Sequence, residues 1–144
     1  MTRRANCLSA FLSICLGLVL IAGAAAAAPA ISVHDAYEQA GKGEILLIDI
    51  RSADEWRATG IATVAQPISM HEQGFFERLD AAVGGDHSKA VALICSSGGR
   101  AAWMQVQLLA RGYTNVVNVA EGMEGGSNGP GWITSGLPLM PYGQ

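Results

Sequence analysis

Three short apolar runs constrain the fold of this chain more than any other feature of its sequence. They occupy residues 45–48, 91–94 and 116–119, and the last is interrupted only by Asn118. Each run is too short for a helix, and continuous apolar strands of this length are typical of a parallel sheet that is covered on both faces. Segments with helical spacing separate the runs. The predicted architecture is therefore an α/β domain in which helices flank a parallel sheet.

The predicted helices carry recognisable boundary signals. Ser32 and Ser52 each precede an acidic residue by three positions, which is the spacing of a capping box, and the helices that they begin should end at Gly41 and Gly60. A third helix is predicted from Phe75, Phe76, Leu79 and Val83, ending at Gly84-Gly85. A fourth should run to Arg111.

The fourth helix has apolar residues at helical spacing, namely Ala102, Trp103, Val106, Leu109 and Ala110. Residues at this spacing share one face of a helix, so we expect that face to pack on the sheet. Trp103 and Met104 are expected to serve packing rather than recognition. Trp132 lies near a glycine-rich segment and leaves two roles open: it lines a pocket or it covers the core.

Residues 95–100, Cys-Ser-Ser-Gly-Gly-Arg, follow the second apolar run and open the fourth helix. Ligands of open α/β sheets bind beyond the carboxyl ends of the strands, where a helix N-terminus favours negative charge. Gly98 and Gly99 are expected to adopt positive φ and to turn several N–H groups into one concavity, while Arg100 adds a permanent cation. The loop should therefore favour the thiolate of Cys95. The alternative is a small buried cysteine beside an ordinary Gly-Gly turn.

Three segments together resemble the rhodanese family. The loop is similar to that family's Cys-x-x-Gly-x-Arg active-site loop, and residues 49–60 resemble its Asp-x-Arg-x-x-x-Glu-aromatic-x-x-Gly segment. Residues 111–123, with Trp132 and residues 136–138, resemble its closing strand and terminal turn. The resemblance covers residues 32–138. The chain departs from the family at Gly60-Ile61, where Gly-His-Ile is frequent.

The resemblance implies a single rhodanese-like domain that acts as a sulfurtransferase. Cys95 would take a sulfane sulfur from an anionic donor such as thiosulfate, hold it as a persulfide and pass it to a thiol or other thiophilic acceptor. The implied sulfur-binding loop is Ser96, Ser97, Gly98, Gly99 and Arg100. No cofactor is expected.

Two other functions stay open at this stage. One is a non-catalytic sulfur carrier, or a binding subunit that docks a periplasmic redox partner. The other is a cysteine-dependent phosphatase or arsenate reductase. Enzymes of that second kind resemble Cys-x5-Arg, whereas only four residues separate Cys95 from Arg100. The shorter loop favours a sulfur atom over a tetrahedral oxyanion.

Asp49, Arg51 and Glu55 are expected to support the loop rather than to react. Arg51 and Glu55 have the spacing of a local ion pair, and Asp49 is expected to cap backbone near the site. His34, His71 and His87 lie in different segments, without a carboxylate or cysteine at ligand spacing. We therefore expect surface histidines, no metal site and no histidine base in the loop.

The first thirty residues resemble a secretory signal peptide. Arg3-Arg4 provide a basic start, residues 8–21 are mostly apolar and residues 23–30 are small. Cleavage is expected near residues 26–30 and would leave a domain of residues 31–144, without a permanent membrane span, in the periplasm or secreted. A membrane-anchoring helix is the alternative.

Cleavage would also remove Cys7 and Cys15, so that Cys95 becomes the single thiol. An unpaired cysteine in a disulfide-forming compartment is open to over-oxidation unless its reactivity is used. The formal net charge of the full chain is −3 and its basic residues are scattered. This distribution argues against nucleic acid as a partner.

Overall fold

The computed structural model describes residues 28–143. The predicted signal peptide, with Cys7 and Cys15, lies outside the described residues apart from its last three positions. The elements, in chain order, are β1 (Ala30–Ile31), α1 (Val33–Gly41), β2 (Leu46–Asp49), α2 (Ala53–Thr59), β3 (Ile61–Ala62), β4 (Ala65–Pro67), α3 (Phe75–Val83), β5 (Val91–Ile94), α4 (Gly99–Ala110), β6 (Val116–Val119), α5 (Gly131–Thr134) and β7 (Leu139–Met140).

Five strands form a parallel sheet in the order β1-β6-β5-β2-β4. The three apolar runs lie at its centre as neighbours, which confirms the predicted α/β architecture. Asp49 pairs with Ile94 in the register of β2 and β5. Cys95 therefore leaves the sheet at the edge where Asp49 ends its strand, as the sequence predicts.

Helices cover both faces of the sheet. Along β2, Ile48 packs with the buried residues of α3 and α4, while its neighbour Leu47 packs with those of α1, α2 and α5. Successive side chains of a strand point to opposite faces, so a continuous apolar strand contributes side chains to the core on both faces of the sheet. This arrangement accounts for the unbroken apolar runs.

The predicted capping signals are present. The Ser32 hydroxyl accepts a hydrogen bond from the Asp35 N–H at 3.1 Å. Ser52 and Glu55 form a complete capping box, because the Glu55 carboxylate also accepts from the Ser52 N–H at 2.9 Å. The first turns of α1 and α2 are thereby capped by side chains.

The predicted packing role is confirmed for Met104, which is buried, but the apolar face predicted from Trp103, Val106 and Leu109 is exposed. Trp103, Val106 and Leu109 are 55%, 53% and 41% exposed, whereas Ala101, Met104, Gln105 and Leu108 are buried. Both stripes are apolar enough to form a core face, so periodicity could not choose between them. The buried stripe includes one polar residue, Gln105, whose side-chain amide donates to the carbonyls of Pro29 and Val116, each at 2.8 Å.

Several short elements were not predicted from the sequence, including β1, β4, α5 and the antiparallel pair of β3 and β7. They contain two to four residues each, too few to show a period. The role of Trp132 is now decided. Its side chain is fully buried, its ring packs edge-on against Tyr37, and its Nε1 donates to the Pro138 carbonyl at 3.2 Å, so it covers the core.

Across residues 28–143, every helix is too short or too polar to cross a bilayer.

Candidate active site

Cys95 follows β5 directly and is 1% exposed. Its carbonyl accepts a hydrogen bond from the Met123 N–H, and the Ser96 carbonyl accepts one from the Glu124 N–H, both at 2.8 Å. The Ser96 hydroxyl also donates to Glu124 Oε2 at 2.7 Å. The start of the loop is therefore fastened to the turn that follows β6.

Two glycines allow the loop and that turn to approach each other. Gly98 has φ 88°, and a Cβ added there would lie 2.1 Å from the Ala120 carbonyl oxygen. Gly122 has φ 71°, and its added Cβ would lie 2.4 Å from the Ser96 carbonyl oxygen. Neither position accepts a side chain without moving backbone, so the two segments interlock.

Gly99 does not have the predicted positive φ. It begins α4 as an ordinary helical residue, and a Cβ there would meet nothing within 4 Å. Gly98 alone makes the left-handed turn into the helix, so the second glycine was not needed for the reversal of the chain.

The helix that follows the loop directs its N-terminal end toward this part of the chain. The Gly98 carbonyl accepts the first helical hydrogen bond, from Ala102, at 2.9 Å. The N–H groups of the first turn, including those of Gly99 and Arg100, have no partner within the helix and carry the positive end of its dipole. An anionic sulfur on Cys95 would therefore meet a favourable field.

Arg100 is held by Glu55. Its Nη1 donates to Glu55 Oε2 at 2.9 Å and its Nη2 donates to Oε1, so one carboxylate binds the guanidinium through both oxygens. These hydrogen bonds are the largest cause lowering the pKa of Glu55, from 4.5 to about 2, although partial burial opposes the shift. The pKa of Arg100 is raised, chiefly by Glu55 and to a smaller extent by Cys95.

Asp49 and Arg51 form a second, fully buried pair, with Nη2 at 2.7 Å from Oδ2. Asp49 also accepts from the backbone N–H of Arg51 at 3.1 Å, which agrees with its predicted capping role. The Arg51 guanidinium also donates hydrogen bonds to the Thr59 hydroxyl at 2.7 Å and to the Gly60 carbonyl at 2.8 Å. The pair thus joins the end of β2 to the end of α2.

The predicted ion pair between Arg51 and Glu55 is wrong. Arg51 turns inward to Asp49, and Glu55 points across to α4 and Arg100. Local spacing suggested the pairing, but Arg51 binds its near neighbour Asp49, and Glu55 binds Arg100, which tertiary packing brings to it. Of the three residues, Glu55 contacts the loop, through Arg100, whereas Asp49 and Arg51 bind each other at the end of β2.

Sequence reasoning missed two neighbours of the loop. One is Glu124, which binds Ser96. The other is His71, whose Nε2 lies 3.0 Å from Arg100 Nη1 although the two residues are 29 positions apart. His71 is exposed as expected, but it is not remote from the site. No local pattern signals either contact, because each depends on how separate loops meet at the sheet edge.

The other two histidines lie elsewhere. His34 is exposed on α1, and His87 binds Asp80 at 3.0 Å and stacks on the Tyr113 ring. Within residues 28–143, no three His, Cys, Asp or Glu side chains gather in a group that could hold a metal ion.

Comparison with known proteins decides the family. The model of the rhodanese-like domain matches residues 32–128, which include all the elements that build the loop and its supports. The chain belongs to the rhodanese-like domain family.

Solved structures with the rhodanese-like fold resemble the chain over most of its length. The polysulfide-sulfur transferase homodimer of Wolinella succinogenes is 30% identical, with a TM-score of 0.62, and the match covers 83% of this chain and 82% of that one. A rhodanese-like domain protein of Staphylococcus aureus shares the fold at 20% identity and a TM-score of 0.56, over 78% and 98% of the two chains. An uncharacterized protein of Rickettsia prowazekii is 26% identical over 99 residues, which are 64% of this chain and 80% of that protein.

Proposed function

We propose that this rhodanese-like domain is a sulfurtransferase and that Cys95 carries the transferred sulfur. One observation carries the proposal. Cys95 directly follows a central strand, in a loop that Gly98 interlocks with the chain after β6, and Arg100 binds Glu55 at the far end of the same loop. The arrangement places one thiol at a helix N-terminus beside a fixed guanidinium.

The reaction has two steps. The Cys95 thiolate attacks the outer sulfur of thiosulfate; an S–S bond forms to Cys95, the S–S bond of the donor breaks, and its electron pair leaves with sulfite. An acceptor nucleophile such as cyanide then attacks the outer sulfur of the persulfide, which releases thiocyanate and restores the thiolate. No net oxidation occurs, because each step exchanges one sulfur bond for another.

The loop contributes to these steps electrostatically. Amides of Ser96 to Arg100 and the N-terminus of α4 would stabilise the negative outer sulfur of the persulfide. Arg100 would be held in place for this task by Glu55. Removing one preorganised donor from a comparable anion-binding site costs about 2.7–4 kcal/mol of transition-state stabilisation.

The proposal also concerns the identity of the sulfur donor. Thiosulfate is the simplest sulfane-sulfur anion, and the relative in Wolinella succinogenes is a polysulfide-sulfur transferase. A polysulfide would react in the same way, and its leaving group would be the chain shortened by one sulfur. Both donors should be assayed, because Cys95 is the candidate nucleophile for each.

Mass spectrometry with a matched variant tests the proposal. Wild type treated with thiosulfate or polysulfide should gain the mass of one sulfur atom, and cyanide should remove it. Cys95→Ser should gain nothing while keeping its far-ultraviolet circular dichroism, because serine has nearly the same shape and is a far weaker nucleophile. Transfer by Cys95→Ser above a tenth of the wild-type rate would overturn the assignment.

Turnover separates the sulfurtransferase from the alternatives. An enzyme forms many equivalents of thiocyanate per equivalent of protein, whereas a carrier loads once and needs a docked partner to unload. A phosphatase would instead hydrolyse an aryl phosphate. We expect multiple turnover with a sulfur donor and no hydrolysis of the aryl phosphate, because the four-residue spacing encloses too little space for a tetrahedral oxyanion.

Export belongs to the same proposal, since residues 1–30 have the pattern of a signal peptide. The intact mass of protein from the periplasmic fraction should show a chain that begins between residues 27 and 31. A chain that keeps Met1, found in the membrane fraction, would support the anchoring helix instead.

We further propose that a second copy of this chain covers the exposed stripe of α4, because the Wolinella succinogenes relative is a homodimer. Trp103, Val106 and Leu109 present this apolar stripe on the helix that begins at the loop. Sedimentation should give a dimer for wild type and a monomer for Trp103→Glu. A monomeric wild type would contradict the assignment of this surface.

A further inference from the structure

The connection between β4 and α3 brings one histidine to the candidate site. His71 Nε2 lies 3.0 Å from Arg100 Nη1, and the backbone N–H of His71 donates to the Ser69 hydroxyl at 3.2 Å. Arg100 is therefore held from two directions: by Glu55 on α2 and by His71 on this connection. The proposed reaction itself assigns no step to the His71 imidazole.

The proton on the imidazole decides whether this contact is favourable. A guanidinium has only N–H donors, so Nε2 of His71 must be unprotonated to accept from it. The ring is then the neutral tautomer that carries its proton on Nδ1. A protonated ring offers no acceptor and places a second positive charge beside Arg100, so it should turn away into solvent.

The charged groups around His71 are already engaged. Glu55, which faces it from α2, binds Arg100 and the backbone N–H of Ser52. On its own segment, Glu72 binds Arg78 at 2.7 Å, and Arg78 also donates to the Ser69 carbonyl at 3.3 Å. A protonated His71 would therefore have to compete for carboxylates that hold other partners.

We propose that neutral His71 is a positioning residue for Arg100, and that its protonation releases one side of the guanidinium and slows sulfur transfer. The inference rests on the proposed function, because it assigns a regulator to that site. Protonation removes the acceptor that faces Arg100, so the rate should fall when the solution is acidified. Any acid decline that remains in a variant without the imidazole measures the contribution of groups other than His71.

The test compares pH profiles of thiocyanate formation from thiosulfate or polysulfide. His71→Gln keeps an acceptor, the side-chain carbonyl, but cannot titrate; we expect the wild-type rate within about twofold at pH 8 and a weaker decline toward pH 5. His71→Ala removes the acceptor and should lower the rate about three- to tenfold at pH 8, the equivalent of one modest hydrogen bond. His34→Gln is the matched control on α1 and should follow wild type throughout.

Nuclear magnetic resonance provides a readout that does not depend on activity. The guanidinium resonances of Arg100, assigned with Arg100→Lys, should shift between pH 8 and pH 5 in wild type and in Cys95→Ser, and should stay constant over the same pH range in His71→Gln. A constant Arg100 signal in wild type, or an equal acid decline of the rate in wild type and His71→Gln, would overturn the proposal. If the Arg100 signal shifts as expected but no sulfur is transferred, only the proposed function is refuted.

Discussion

Arg100, in the first turn of α4, is bound through both terminal nitrogens by Glu55, in the first turn of α2 and 45 residues earlier in the chain. The same carboxylate completes the capping box of α2. One side chain therefore fixes the start of a supporting helix and the cation of the candidate site. Loss of its charge should affect both the stability of the domain and the position of Arg100.

The first prediction concerns pH-dependent stability. The pKa of Glu55 is lowered from 4.5 to about 2, so its ion pair contributes fully above pH 4.5, and that contribution is lost as the pH falls toward 2. Glu55→Gln keeps the capping-box residue type but removes the charge. Urea unfolding should show wild type more stable than Glu55→Gln at pH 7, with a smaller gap at about pH 3. Glu38→Gln, which breaks an exposed pair with Lys42, should change stability little at either pH.

The second prediction compares adjacent glycines. Gly98→Ala puts a side chain at φ 88° and 2.1 Å from the Ala120 oxygen, whereas Gly99→Ala adds a methyl group to open space in a helix. The left-handed conformation alone costs about 1–2 kcal/mol, so Gly98→Ala should destabilise by more than that and prevent persulfide formation. Gly99→Ala should fold and react like wild type. Equal effects in urea unfolding would show that the interlock is not rigid.

The third prediction concerns the buried pair of Asp49 and Arg51. Removing one member leaves the other charge uncompensated, so Asp49→Leu or Arg51→Met should each cost about 3–5 kcal/mol. The double variant leaves no lone charge and should be more stable than either single variant. Thermal unfolding of the four proteins measures this coupling, and additive losses would mean that the pair contributes only packing.

The fourth prediction concerns the edge of the sheet remote from Cys95. The Tyr113 hydroxyl donates to Asp80 Oδ1 at 2.5 Å, and burial, followed by that carboxylate, raises the pKa of Tyr113. Tyr113→Phe should lose about 1 kcal/mol of stability because Asp80 keeps only its contact with His87. Sulfur transfer should not change. Tyr37→Phe is the control in urea unfolding, since its ring contributes a packing contact with Trp132.

The central sheet and the Cys95 loop could be predicted because contiguous residues indicate each of them. Residues 45–48 and 91–94 have the length and apolar content of covered strands, and the loop residues are contiguous. The buried face of α4 was mispredicted because Trp103 and Met104 lie on neighbouring stripes, and the buried stripe includes a polar residue, Gln105, whose amide binds backbone carbonyls. His71 and Glu124 were missed for a different reason: their partners are 29 and 28 residues away, a separation that no spacing rule covers.

The interlock at Gly98 and Gly122 also governs when the site can form during synthesis. Residues 95–100 contain every group that is proposed to carry or stabilise the transferred sulfur. Their backbone, however, is fastened to residues 120–124. A nascent chain that ends before Ala120 would carry the full hexapeptide without its shape. The nucleophile should therefore acquire its reactivity only after residues 120–124 have joined the fold, and the chain would expose an ordinary thiol until then.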